Sequence, residues 1–133
     1  MRLRLLLDTH ILIRWLSDPK KLSHAQVRAL EDLVRNGHRA GLSDMSLVEI
    51  AVLSIGGKRP PTDLQRLLDR VDSDPLFQIL PVTSEIAREI AAMGGGLRDP
   101  ADQTIVATAR VHRLKLLTAD QRIIDSGLAS VID

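Results

Sequence analysis

Hydrophobic residues along this chain follow two rhythms. Short, mostly apolar runs read as strands, and longer stretches with apolar positions three and four apart read as helices. Leu3 to Leu7 predicts a strand. Thr9 to Leu16, with Ile11, Leu12, Trp15 and Leu16 at helical spacing, predicts a helix that Asp18-Pro19 breaks. Ser23 to Arg35 predicts a second helix, with Ser23 as its N-cap, Val27, Leu30 and Val34 on one face, and Asn36-Gly37 closing it. Ala40 to Ser43 follows as a strand, and Met45 to Ile55 as an unusually apolar helix ended by Gly56-Gly57. Lys58-Arg59-Pro60-Pro61 is the clearest loop. Thr62 to Val71 predicts an amphipathic helix, Phe77 to Val82 a strand in spite of Pro81, and Ser84 to Ala92 another helix. Met93 to Arg98, with three consecutive glycines, is a flexible loop. Asp99-Pro100 opens a helix to about His112, Leu114 to Thr118 is a fourth strand, a short helix starts at Asp120, and Val131-Ile132 is a small last strand.

Strands separated by helices imply right-handed crossovers and a mainly parallel sheet covered on both faces, an α/β fold. At 133 residues the chain is expected to be one domain, residues 1–133, with a real core. Sheets of this kind bind ligands outside the carboxyl ends of their strands, where the strand order reverses. Polar residues at those ends are therefore the place to look for chemistry.

Composition narrows the chemistry. The absence of cysteine excludes disulfide scaffolds, thiolate metal sites and cysteine nucleophiles. No run reaches the ~20 apolar residues of a membrane span. Asp8, His10 and Arg14 interrupt the apolar start, so no secretory signal is expected, and the expected location is cytoplasmic. A net charge of +1 is not that of a protein that coats nucleic acid, although acids gathered in one site would leave the rest of the surface more basic. With only Trp15 and Phe77 as aromatics, there is no platform on which single-stranded bases would stack.

Four acids stand in unusual places. Asp8 ends the first strand, in Leu-Leu-Leu-Asp, and Asp120 follows the fourth, in Leu-Leu-Thr-Ala-Asp. Glu49 lies in the apolar stretch SLVEIAVLSI, and Asp102 in RDPADQTIVATA, three residues after Asp99. Each has a local explanation. Asp8, Asp99 and Asp120 suit N-caps, Pro100 suits the first helical position, Asp102 resembles the acidic partner of a capping box, and Glu49 fits a narrow polar strip with Asp44 and Ser46. Taken together they also form a set that repels itself unless a cation neutralises it. All-oxygen donors without cysteine or converging histidine suit a hard ion, Mg²⁺ or Mn²⁺. One or two such ions can activate water and stabilise in-line attack on a phosphodiester.

The segments LLLDTHILIRWL, LSDMSLVEIAVL, LRDPADQTIVATA and KLLTADQRI, in this order, resemble the PIN-domain nucleases, most closely VapC-type toxins of bacterial toxin–antitoxin pairs. The resemblance covers nearly the whole chain. It implies a three-layer α/β/α sandwich with strand order 3-2-1-4-5, which sets strands 1 and 4 side by side and brings Asp8 to Asp120. It further implies that Asp8, Glu49 and Asp102 bind metal, with Asp120 as a fourth acid. Asp99 would remain a cap or outer residue, and Thr9 and Thr118 would bond to carboxylates or to water. The implied activity is Mg²⁺- or Mn²⁺-dependent endoribonuclease cleavage, in which metal-activated water leaves a 5′-phosphate and a 3′-hydroxyl. The implied partners are an RNA substrate, a cognate VapB-type antitoxin and a second copy in a homodimer. Gln103 departs from the arginine common at that position, so any contact made by that arginine would be missing.

Other readings fit less well. A haloacid-dehalogenase-type phosphotransferase needs an Asp where His10 stands. A receiver domain needs paired acids after strand 1, where Thr9 follows Asp8, and a Lys after the last core strand. A catalytically silent PIN-like binding scaffold remains the alternative, to be separated by metal uptake. The four histidines lack metal-ligand spacing; His24, His38 and His112 are expected at the surface, and His10 either supports the structure or touches the site. Arg98, at the end of the glycine loop, is a candidate contact for substrate phosphate.

Overall fold

The computed structural model describes residues 3–55 and 64–133. Within them the order is β1 (Leu3–Leu7), α1 (Thr9–Ser17), a 3-10 turn (Pro19–Lys21), α2 (His24–Arg35), β2 (Arg39–Ser43), α3 (Asp44–Ile55), α4 (Leu64–Ser73), β3 (Phe77–Leu80), α5 (Ser84–Met93), α6 (Pro100–His112), β4 (Lys115–Leu117), α7 (Gln121–Ser126) and β5 (Val131–Ile132). The glycine pair at 56–57, the loop expected at 58–61 and the start of the helix expected from Thr62 lie outside the described residues.

The five strands form one sheet of order β3-β2-β1-β4-β5, and every pairing in it is parallel. The expected order holds, and the sheet is entirely rather than mainly parallel. Alternation along the strands divides the core in two. Leu5 and Leu7 of β1 join Ile11, Leu12, Leu30, Ile50 and Leu67 from α1 to α4. Leu6, between them, joins Ile105, Val106, Ala109 and Ile123 from α6 and α7 on the other face. That is the physical content of the three layers: a central strand buried on both sides reads as a continuous apolar run. Leu6, Leu7, Ile11 and Leu12 are fully buried, and each such side chain contributes about 1.5–3 kcal/mol relative to exposure.

Several local expectations shift. β3 stops at Leu80, because Pro81 has no N–H to donate to a ladder. α3 starts one residue early, at Asp44, and β4 is shorter than Leu114 to Thr118. The face assigned to α2 is rotated. Val34 is 55% exposed, whereas Gln26, Leu30 and Leu33 point inward. Gln26 is a polar residue that the apolar pattern passed over. Its Nε2 donates to the carbonyls of Thr118 (3.1 Å) and Ile132 (3.2 Å), and its Oε1 accepts from Ser23 N (3.0 Å). Ser23 Oγ in turn accepts from Gln26 N, completing a capping box. One buried amide thus ties α2 to the ends of β4 and β5. Gly37, at φ +69°, takes the left-handed conformation that closes α2.

Candidate functional site

β1 is the switch point of the sheet, with β2 on one side and β4 on the other. Both β1 and β4 end in polar residues at their carboxyl edge. Asp8 N donates to Leu117 O (2.9 Å), so the pairing runs one residue past the strands. Asp8 is buried, and its carboxylate is held from two elements. Thr9 N donates to Oδ1 (2.9 Å), which caps α1, and the Thr118 hydroxyl donates to Oδ2 (2.7 Å). These bonds aim the carboxylate and leave lone pairs available, since an ionised carboxylate accepts about four hydrogen bonds.

Asp120 follows Thr118 across one residue, and its backbone N–H donates to Thr118 Oγ1 (3.0 Å). Its carboxylate caps α7 by accepting from Arg122 N (2.9 Å). His10 links the same loop to α1. Its Nε2 accepts from Ala119 N (2.9 Å), so the ring hydrogen resides on Nδ1, which faces Asp8 Oδ2 at 3.5 Å. Burial lowers the His10 pKa, opposed by the nearby Asp8 charge, and favours the neutral ring. His10 therefore holds the loop that carries Thr118 and Asp120.

α3 leaves the carboxyl end of β2 and packs against both α1 and α6. This packing brings Glu49 to Thr9, the residue next to Asp8. The Thr9 oxygen lies 2.5 Å from Glu49 Oε1 and 2.9 Å from Ser46 Oγ. A hydroxyl has one proton; Thr9 gives it to the carboxylate, and Ser46 supplies the proton of the other bond. Glu49 is half-buried rather than solvent-facing. Burial raises its pKa, the bond from Thr9 opposes that rise, and the charges of Asp8 and Asp99 add to it. Thr9, Ser46 and Thr118 thus serve the acids as short polar supports, in line with the expectation for Thr9 and Thr118.

Asp102 enters from α6. Asp99 caps that helix through Ala101 N (2.8 Å) and Asp102 N (3.4 Å), as its position before Pro100 predicts. Asp102 does not act as the second half of a capping box. It is buried, and its pKa is raised to about 6, first by burial and then by the charges of Asp99, Asp120 and Asp8. Three acids from β4–α7, α6 and β1 therefore share one electrostatic neighbourhood. Gln103, beside it, donates to Leu97 O (2.6 Å) and fastens the glycine-rich segment to α6, so a structural contact exists there without the arginine.

Arg122 was not singled out by its sequence position. Its guanidinium grips both oxygens of Asp120, Nε to Oδ1 at 3.2 Å and Nη2 to Oδ2 at 2.9 Å, and Nη2 also reaches Asp102 Oδ2 at 3.3 Å. The hydrogen bond from Arg122 is the main reason the Asp120 pKa is lowered. The available signal is a cation in the first turn of a helix, the end where the helix dipole disfavours positive charge. Arg98 is exposed at the end of its loop, His24 and His112 are exposed as expected, and His38 is half-buried instead.

The oxygen-only donors, and the raised pKa values of Glu49 and Asp102, fit a hard divalent cation. Among the described residues, no three metal-binding side chains converge tightly enough to grip one ion in this arrangement. Arg122 holds two of the acids instead.

Residues 5–127 match the family model described as PIN domain. Ribonuclease VapC22 of Mycobacterium tuberculosis (strain ATCC 25618 / H37Rv) is 27% identical over 126 residues, spanning 89% of this chain and 88% of the relative. Among solved structures, VapBC2 from Rickettsia felis bound to a DNA fragment from their promoter superposes with a TM-score of 0.71 at 14% identity, over 98% of both chains. FitAcB from Neisseria gonorrhoeae superposes with a TM-score of 0.66 at 26% identity, over 97% of this chain and 96% of its own.

Proposed function

The chain belongs to the PIN-domain family, and from that premise we propose that it is a metal-dependent endoribonuclease, the toxin of a toxin–antitoxin pair. In this reading residues 1–133 are one PIN domain, and Asp8, Glu49, Asp102 and Asp120 hold Mg²⁺ or Mn²⁺. The observation that carries it is the gathering of buried Asp8 and Asp102 with Asp120 at the carboxyl edge of β1 and β4, where Thr118 bonds to Asp8 and to the Asp120 amide and Arg122 spans Asp120 and Asp102. A fold gains nothing from burying a carboxylate among other carboxylates, whereas a cation site requires it.

A divalent ion bound there supplies Lewis acidity toward a phosphoryl oxygen and lowers the pKa of water. The chain's own residues do the positioning. Thr118 and the Thr9 amide fix both oxygens of Asp8, the Thr9 hydroxyl orients Glu49, and His10 secures the loop behind Asp120. The Asp99 cap anchors the first turn of α6 and so places Asp102. Four acids outnumber the one guanidinium among them, so an RNA phosphate would meet net negative charge there until a divalent ion binds.

The relative named as a ribonuclease supports RNA as the substrate. The VapBC structural neighbour supports a cognate VapB-type antitoxin as partner, and the family resemblance supports a homodimer. Among the described residues no helix is long and apolar enough to cross a membrane. The test is Asp8→Asn. Asparagine keeps the cap of α1, so the variant folds, and metal-dependent RNA cleavage is abolished. A folded Asp8→Asn protein that cleaves RNA at the wild-type rate would falsify the assignment. Failure of the wild type to take up Mn²⁺ at millimolar concentrations would favour a catalytically silent scaffold.

A further inference from the structure

We propose that Arg122 is a built-in competitor of the divalent ion: its guanidinium occupies Asp102 and Asp120 in the metal-free protein and must withdraw for the ion to bind. This rests on the metal reading above. Four observations support it. One guanidinium engages two of the four acids, with a two-point grip on Asp120 and a third contact to Asp102. It arrives at a helix N-terminus, where the backbone dipole works against a cation, so local helix preference does not account for it. The side chain is 70% exposed, so it can swing away without disturbing the core. Withdrawal also leaves α7 capped, because Asp120 accepts from the Arg122 backbone N–H independently of the side chain.

The two cations are not equivalent. The guanidinium brings one positive charge to two carboxylates, Asp102 and Asp120. A single positive charge therefore leaves a surplus of negative charge, which a doubly charged ion can relieve. The exchange would raise the metal concentration needed for loading, and would free a guanidinium beside the acids.

The experiment is Mn²⁺ titration of the full-length protein by calorimetry, comparing wild type, Arg122→Ala and Asp8→Asn at one pH. We expect Arg122→Ala to bind Mn²⁺ about two- to fivefold more tightly, the range that exposed ion pairs command. Asp8→Asn should lose the uptake, showing that the ion measured is the one held by these acids. In parallel, the Nε–Hε resonance of Arg122 should shift during Mg²⁺ titration with the same midpoint as binding. Equal or weaker Mn²⁺ affinity in Arg122→Ala, with Asp8-dependent uptake intact in the wild type, overturns the competition alone. No uptake by any of the proteins, or uptake that survives Asp8→Asn, overturns the metal reading and this inference with it.

Discussion

Replacing Asp102 with Asn should stabilise the metal-free protein. In the folded chain the carboxyl of Asp102 has a pKa of about 6, against 3.8 for the ordinary group. The folded state therefore holds the proton more tightly than the unfolded state does. Stability contributed by the protonated form is fully present at low pH and is lost as pH rises from about 4 through about 6. One pKa unit corresponds to about 1.4 kcal/mol, so ionising Asp102 at pH 8 costs about 3 kcal/mol. Asparagine keeps the shape and carries no charge, but it surrenders the contact with Arg122 and brings a second polar group inside. A net gain of about 2 kcal/mol at pH 8 is expected, a rise in Tm of about 6–8 °C for a chain of this size. The assay is thermal unfolding of wild type and Asp102→Asn in EDTA, from pH 4 to pH 8. The difference between them should be near zero at pH 4, grow through pH 6 and then level off. A variant that is less stable than wild type at pH 8, or a difference that does not change with pH, refutes the reasoning.

The same pKa governs metal loading. A ligand that must first lose a proton should make Mn²⁺ affinity rise about tenfold per pH unit below pH 6 and flatten above pH 7, which calorimetry at several pH values will measure. Thr9→Val, nearly isosteric, removes the proton donated to Glu49; its pKa should rise further and Mn²⁺ affinity fall about five- to tenfold, while Tm drops by the equivalent of about 1 kcal/mol. Gln26→Leu should lower stability by about 1–3 kcal/mol in urea unfolding, because it takes the Gln26 donor from the Thr118 carbonyl and leaves Ile132 O with Thr118 N alone. His10→Ala should leave the Ala119 amide without its acceptor, visible as faster hydrogen exchange at Ala119 than in the wild type.

Much of the frame was legible in the chain. The strand and helix pattern, the caps Ser23, Asp99 and Asp120, and the stop at Asn36-Gly37 are local matters settled within a few residues. Asp8 was legible twice over, as a cap and as an acid at a strand end. The structure makes both readings true at once: Thr9 N and Thr118 Oγ1 bind different oxygens of the same carboxylate. The face of α2 was misjudged because the apolar pattern favoured Val34 over Gln26, and a buried glutamine betrays itself only through the carbonyls it reaches.

Sequence by itself determined which residues could form each element, which acids stand at the ends of strands, and, through four motifs in order, the family and its sheet. Tertiary structure decided what those acids are. The pKa of Asp102 comes from burial, from its own helix cap Asp99 and from charges on two other segments, at Asp120 and Asp8. Glu49 acquires its role from Thr9, 40 residues away, and Arg122 finds Asp102 across 20. Caps and periodicity act along the chain, over one helical turn. Desolvation and Coulomb interactions act through space, and their values exist only after the sheet has brought β1, α3, α6 and β4 to a common edge.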